Sequence, residues 1–251
     1  MQINPQDHVA PGTKLHTMIG WMLLLIIGPL LVFATIAFTY GLALIGWIIA
    51  AVFYVSFVKQ AQARLKGSAI EVSAAQFPEI HAIVQDYAQR LGLAESPTTY
   101  IIEDNHQNAV ALKHGAKSFV ILIDDTVFGA AATGNSKALA FIIGHELAHH
   151  ALGHTGFFRR MIASSYSTLS RLDEFSCDAV AHALVGDAAA AQDALALLLI
   201  GPQLYAKVNR AALEQQAAEV AGDKHSKKSE RKLSHPLLLR RYHAITNPGV
   251  V

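Results

Sequence analysis

The chain has 251 residues, a formal net charge of +1 and a mean hydropathy of +0.31, with 52% hydrophobic residues. That length accommodates one sizeable domain plus an appendage; the near-neutral charge, with no basic helix or aromatic-rich RNA motif, excludes nucleic acid as a partner; and the excess hydrophobicity places part of the chain outside water. The lone cysteine, Cys177, excludes an intramolecular disulfide framework, in keeping with a cytoplasmic domain.

The hydrophobic excess lies near the N-terminus. "MIGWMLLLIIGPLLVFATIAF" (18–38) and "LALIGWIIAAVFYVSFV" (42–58) carry no charge. A single helix through both would be roughly 60 Å long, twice the hydrocarbon thickness, so the pattern predicts two spans joined at Thr39, Tyr40 and Gly41. Pro29 is tolerable inside a bilayer helix. A cleaved signal peptide would have a much shorter apolar run, and a buried soluble hairpin would show a polar face. Lys14 precedes the first span, Lys59, Arg64 and Lys66 follow the second, and the connection has no basic residue. The positive-inside rule therefore predicts both ends on the cytoplasmic face. The resulting division is a cytoplasmic segment 1–16, a two-helix transmembrane hairpin 17–59 with the lipid bilayer as its partner, and a domain 60–251.

Within that domain, "SAAQFPEIHAIVQDYAQRLGL" (73–93) spaces Phe77, Ile80, Ile83, Val84, Tyr87 and Leu91 as an amphipathic helix. "PTTYIIED", "NAVAL" and "KSFVILID" predict three strands of a small sheet. Asn135 or Ser136 can cap a helix running to about Gly153, and further helices are expected over 157–170, 173–185 and 188–219. The apolar "ALALLLI" (194–200) is too short for a third span, and "GDKHSKKSERK" (222–232) predicts a solvated basic loop. The fold class expected is α+β, mainly helical.

"FIIGHELAHHALGH" (141–154) puts four histidines and a glutamate into an otherwise apolar helix, and unpartnered burial of such groups costs several kcal/mol. Positions i and i+4 differ by roughly 40° of rotation, so His145 and His149 project from one face with Glu146 on the flank. This is the H-E-x-x-H arrangement, in which two neutral imidazoles bind Zn²⁺ and the glutamate takes a proton from the attacking water. On an ideal helix His150 and His154 sit about 140° and 180° from His145, facing away from the ion, and are expected as partly buried groups bonded to backbone. Leu152 and Thr155 occupy positions where a metzincin requires Gly and His, so His154 is not expected as the third ligand. "RLDEFSCDAVAHAL" offers Glu174 and Asp178 at i, i+4, where one carboxylate can meet the metal while the other accepts an imidazole N–H.

Together, His145-Glu146-x-x-His149, Glu174-x-x-x-Asp178 and "SHPLLLRRY" resemble the HtpX and type I CAAX prenyl protease family of integral-membrane gluzincins. The resemblance implies a zincin-like gluzincin catalytic domain. It also implies active-site roles for His235 and Arg241, a substrate strand at Asn108-Ala109, a match of His154 to the family's later histidine, and quality control of membrane or misfolded proteins. Only 24 residues separate His149 from Glu174, leaving no room for the membrane helices that HtpX-like members carry there, and "EFSCD" also resembles sensor peptidases of the BlaR type. The expectation is a zinc endopeptidase of polypeptide substrates, anchored in a bacterial inner membrane and facing the cytoplasm, with one Zn²⁺ per chain held by His145, His149 and Glu174. Asp178 would support the ligands, Glu146 would be the base, and His235 and Arg241 would stabilise the oxyanion. The rival readings are a signal-responsive membrane peptidase and a catalytically silent adaptor with structural zinc.

Overall fold

A computed structural model describes residues 2–104, 109–135 and 137–250. Two long helices come first, α1 (Thr13–Phe38) and α2 (Leu42–Ser68), joined by the expected turn, in which Gly41 takes a φ of 90°. Among the described residues these two are long and apolar enough to cross a membrane, and their apolar windows are not buried in the protein. The second helix does not stop at 59. "KQAQARLK" consists of helix formers, so α2 continues past the last apolar turn and carries Lys59, Arg64 and Lys66 on one rigid rod.

The residues ahead of α1 dock onto the domain that follows α2. Ile3 N donates to Arg90 O at 2.9 Å, Ala10 N donates to Ser176 Oγ at 2.9 Å, and the His16 ring is hydrogen-bonded to the Tyr166 hydroxyl.

The domain consists of β1 (Ile70–Glu71), α3 (Pro78–Arg90), β2 (Thr98–Ile102), β3 (Ala109–His114), β4 (Lys117–Ile123), α4 (Asp124–Ala132) and a helical remainder. Among the described residues the sheet runs β1-β2-β4-β3, with β2 and β4 parallel and β3 paired antiparallel to β4, Ala109 opposite Leu122. Thus β3 is an edge strand. Beneath the sheet lies α5 (Lys137–Ala151), buried almost throughout from Ala138 to Ala148, which accounts for its lack of a polar face. Gly144 permits its close crossing with α7 (Ser167–Val185): a Cβ there would lie 3.4 Å from the Ala181 Cα and 3.2 Å from Leu184 Cδ1.

Several expected boundaries shift. The helix expected over 157–170 breaks at Tyr166, whose ψ of 79° separates α6 (Phe157–Ser165) from α7, and α7 absorbs the helix expected to start at 173. No Gly or Pro marks that break. The expected 188–219 helix divides at Gly201-Pro202 into α8 (Ala188–Ile200), α9 (Pro202–Tyr205) and α10 (Arg210–Gly222), because Gly201 adopts φ 84°, ψ 161° and Pro202 cannot continue the ladder. The expected basic loop is instead α11 (Lys224–Ser229), whose N-terminus is capped by Asp223 accepting from His225 N and Ser226 N. The last helix, α12 (Leu238–Thr246), packs against α8 and α10 and carries Arg241 into the core.

Candidate metal centre

Two helices bring three side chains to one point. From α5, His145 and His149 bring their Nε2 atoms to 3.2 Å of each other. From α7, Glu174 sets Oε2 at 3.5 Å from His145 Nε2 and Oε1 at 3.4 Å from His149 Nε2. These donor atoms form a group able to hold a metal ion.

Each imidazole is oriented from behind. Asp178, one turn beyond Glu174, lies 2.9 Å from His145 Nδ1 and accepts its N–H, which turns Nε2 toward Glu174. Asp178 is fixed in turn by Arg241, which donates to it from Nε and Nη2, both at 2.7 Å, and from Nη1 to Glu174 Oε2 at 2.9 Å. Burial would strip a proton from His145, but its hydrogen bonds to Asp178 and Glu174 outweigh it and push the pKa up to about 10, so a metal ion binding at Nε2 would take the place of the proton there. Burial opposes charge on Glu174 as well, yet Arg241 and the neighbouring histidines hold its carboxyl well below the usual range.

His149 is held through a relay that an ideal-helix extrapolation does not show. Since α5 ends at Ala151 and Gly153 turns the chain with φ 76°, His154 does not face away; its Nδ1 lies 3.2 Å from His149 Nδ1. His154 Nε2 lies 3.3 Å from Asp173 Oδ1, which also accepts from Arg159 Nη2 at 2.5 Å. A carboxylate only accepts, so His154 carries its proton on Nε2 and offers Nδ1 to the Nδ1–H of His149, whose Nε2 is left free for the cluster. Asp173 and Arg159 carry no signal of this in the sequence beyond one clue, a buried Asp next to Glu174. His150, by contrast, is bonded to backbone as expected: Nε2 donates to Phe119 O at 3.0 Å, tying α5 to β4. His149, His154 and Cys177 form a second grouping of donor atoms, but there the two histidines are turned toward each other through Nδ1, and burial raises the Cys177 thiol well above its ordinary pKa.

Glu146 and the three donors line a cleft bounded by β3 at Ala109–Leu112, by α6 and α7, and by Ser234, His235 and Pro236. Desolvation raises the Glu146 pKa, and the carboxyl group is buried beside the cluster. His235 stands at the cleft with its side chain 66% exposed and Nδ1 3.4 Å from Glu174 Oε2. Its loop is anchored from below: buried Glu230 accepts from Leu237 N at 2.7 Å and pairs with Arg240, while Arg171 Nη1 donates to the carbonyls of Glu230 and Leu233, each at 2.9 Å. Ala109 opens β3, whereas Asn108 and Ser136 lie outside the described residues.

Residues 74–165 match the model of peptidase family M48, the family of the HtpX and CAAX prenyl protease metallopeptidases. The match indicates a metallopeptidase, a hydrolase acting on polypeptides. It includes His145, Glu146 and His149 but ends before Glu174, Asp178, His235 and Arg241, which join the site through the geometry above. No curated protein and no solved structure matches the chain.

Proposed function

With the metallopeptidase segment at 74–165 as premise, we propose that the chain is a membrane-anchored zinc endopeptidase with its ion held by His145, His149 and Glu174. The spacing of the donors carries this reading. They lie 3.2, 3.4 and 3.5 Å apart. Ligand atoms set tetrahedrally around zinc at bond lengths of 2.0–2.1 Å are roughly 3.3–3.4 Å apart, and two neutral imidazoles plus a carboxylate leave the open position that catalysis requires. Bound there, zinc would supply a Lewis acid for the scissile carbonyl and make water a nucleophile at neutral pH.

The remaining steps belong to the chain. Glu146, its pKa raised by burial, accepts the proton of the attacking water and passes it to the leaving amine. The β3 edge supports strand addition by an extended peptide, which supplies affinity through main-chain bonds. His235 reaches the cleft from an anchored loop and can donate to the developing oxyanion. Arg241, expected in that same role, is instead assigned as a positioning residue, because its guanidinium is engaged by Asp178 and Glu174.

Anchoring is supported by the two apolar helices and by the docking of residues 3–16 on the domain, which requires both ends of the hairpin on one face of the membrane. The flanking Lys14, Lys59, Arg64 and Lys66 favour the cytoplasmic face. Purified in detergent, the protein should contain about one zinc per chain and cleave an unfolded protein such as casein, losing activity to 1,10-phenanthroline and regaining it with added zinc. Proteolysis by protein shown by elemental analysis to be metal-free would overturn the assignment. The His154 relay has its own test: His154→Phe, which keeps bulk but removes both ring nitrogens, should weaken zinc about 10–100-fold in chelator competition. Unchanged affinity would reduce His154 to a packing residue.

A further inference from the structure

The short helix α6 presents Phe157, Phe158 and Met161 to the outside, with the two phenylalanines 59% and 55% exposed. Exposed aromatics in tandem are unfavourable in water, and these continue an apolar surface already present. Phe158 lies 6.4 Å ring to ring from Trp21 of α1, and Phe157 lies 5.8 Å from Tyr54 of α2. The buried side of α6 is seated tightly on α1, since a Cβ on Gly20 would come within 2.4 Å of Ile162 Cγ2. On a third side, Arg160, Ala163 and Ser164 form part of the cleft wall.

Depth follows from the sequence of the two long helices. At 1.5 Å per residue, Trp21 lies about 10 Å from Lys14 along α1, and Tyr54 about 7 Å from Lys59 along α2. Aromatic rings at that distance from flanking cations occupy the headgroup level of a bilayer. An amphipathic helix lying in the interface buries its apolar face about 5–10 Å into the headgroup and acyl boundary, the level at which Phe157 and Phe158 meet Trp21 and Tyr54.

We propose that α6 is an in-plane membrane helix, its Phe157, Phe158 and Met161 face covered by lipid, so that one wall of the cleft sits at the bilayer surface. The inference rests on the anchoring proposed above and adds the substrate class: polypeptide segments at the point where they leave the membrane. A soluble chain must then be drawn to the surface, whereas a membrane protein delivers its juxtamembrane segment to the cleft by lateral diffusion.

The test uses the full chain reconstituted in phosphatidylethanolamine and phosphatidylglycerol vesicles, with an environment-sensitive fluorophore on Phe158→Cys; native Cys177 is buried and does not compete for label. The label should be quenched by lipids carrying a nitroxide near the headgroup and shielded from aqueous iodide, while a label on Glu214→Cys, exposed on α10, should respond to iodide alone. The double variant Phe157→Glu, Phe158→Glu should cleave a vesicle-embedded substrate at least tenfold more slowly and a soluble peptide within twofold of the parent. Iodide access at position 158 in protein that resists alkaline extraction would overturn the inference and leave the anchoring intact. Shielding from both quenchers would assign the patch to a second copy and overturn it too. Release of the chain by alkaline extraction would remove both readings.

Discussion

Glu146→Gln should retain zinc and lose proteolysis, with the catalytic constant falling by about 10²–10⁴ when a general base is removed. Glu174→Ala should lose zinc and activity together. The two carboxylates are both buried near the same histidines, yet their surroundings differ. Arg241 Nη1 donates to Glu174, and both of its oxygens face imidazole nitrogens, so that carboxylate is held charged and directed at the donor cluster. Burial raises the pKa of Glu146 instead, as suits a group that must take up and release a proton. Elemental analysis and casein cleavage, measured on the same preparations, separate the roles. Zinc loss in Glu146→Gln with retention in Glu174→Ala would exchange the two assignments. Because the alanine also strips a partner from Arg241, Glu174→Gln should be run beside it, and it too should bind zinc more weakly.

The parts of the site that follow from local periodicity are legible in the sequence. His145, Glu146 and His149 depend only on a helix being a helix, and Asp178 stands one turn after Glu174 for the same reason. Extrapolation fails beyond a helix end. Continuing α5 through Gly153 turns His154 away from the ion, but that glycine takes a left-handed φ and returns the histidine to His149. Arg159 and Asp173 are distant from the motif along the chain and close to it only because α6 folds back on α7. The basic run at 222–232 conceals a buried Glu230 whose partners, Arg240 and the Leu237 amide, come from the next segment, so no window of the sequence shows that it anchors the His235 loop. Three of the four strands among the described residues have a readable pattern, whereas β1, two residues long, has too little to register. The two long apolar helices are legible because length and apolarity are local properties, while the further course of α2 to Ser68 is a matter of helix propensity after the apolar run has ended.

Arg241→Ala should destabilise the domain as well as disable the site, and this separates a positioning role from an oxyanion role. Arg241 is 7% exposed, and its guanidinium contributes its donors to two buried carboxylates. Removing it leaves Asp178 and Glu174 without their strongest compensation, and breaking a buried ion pair from one side costs about 3–5 kcal/mol. Thermal unfolding in detergent should show a fall of several degrees, and zinc affinity should fall with it because Asp178 no longer holds the His145 ring in place. Arg241→Lys should rescue little of either, since a point ammonium cannot span Asp178 with two parallel bonds and reach Glu174 as well. A simple oxyanion donor would behave in another way: its loss would lower the catalytic constant by roughly 10²–10³ with fold and zinc unchanged. That second pattern is the one expected for His235→Ala, whose ring is solvent-facing at the cleft and meets the buried network only at the Glu174 carboxylate. Normal zinc and an unshifted melting temperature in Arg241→Ala would therefore return the arginine to the substrate side of the ion and leave Asp178 alone as the support of His145.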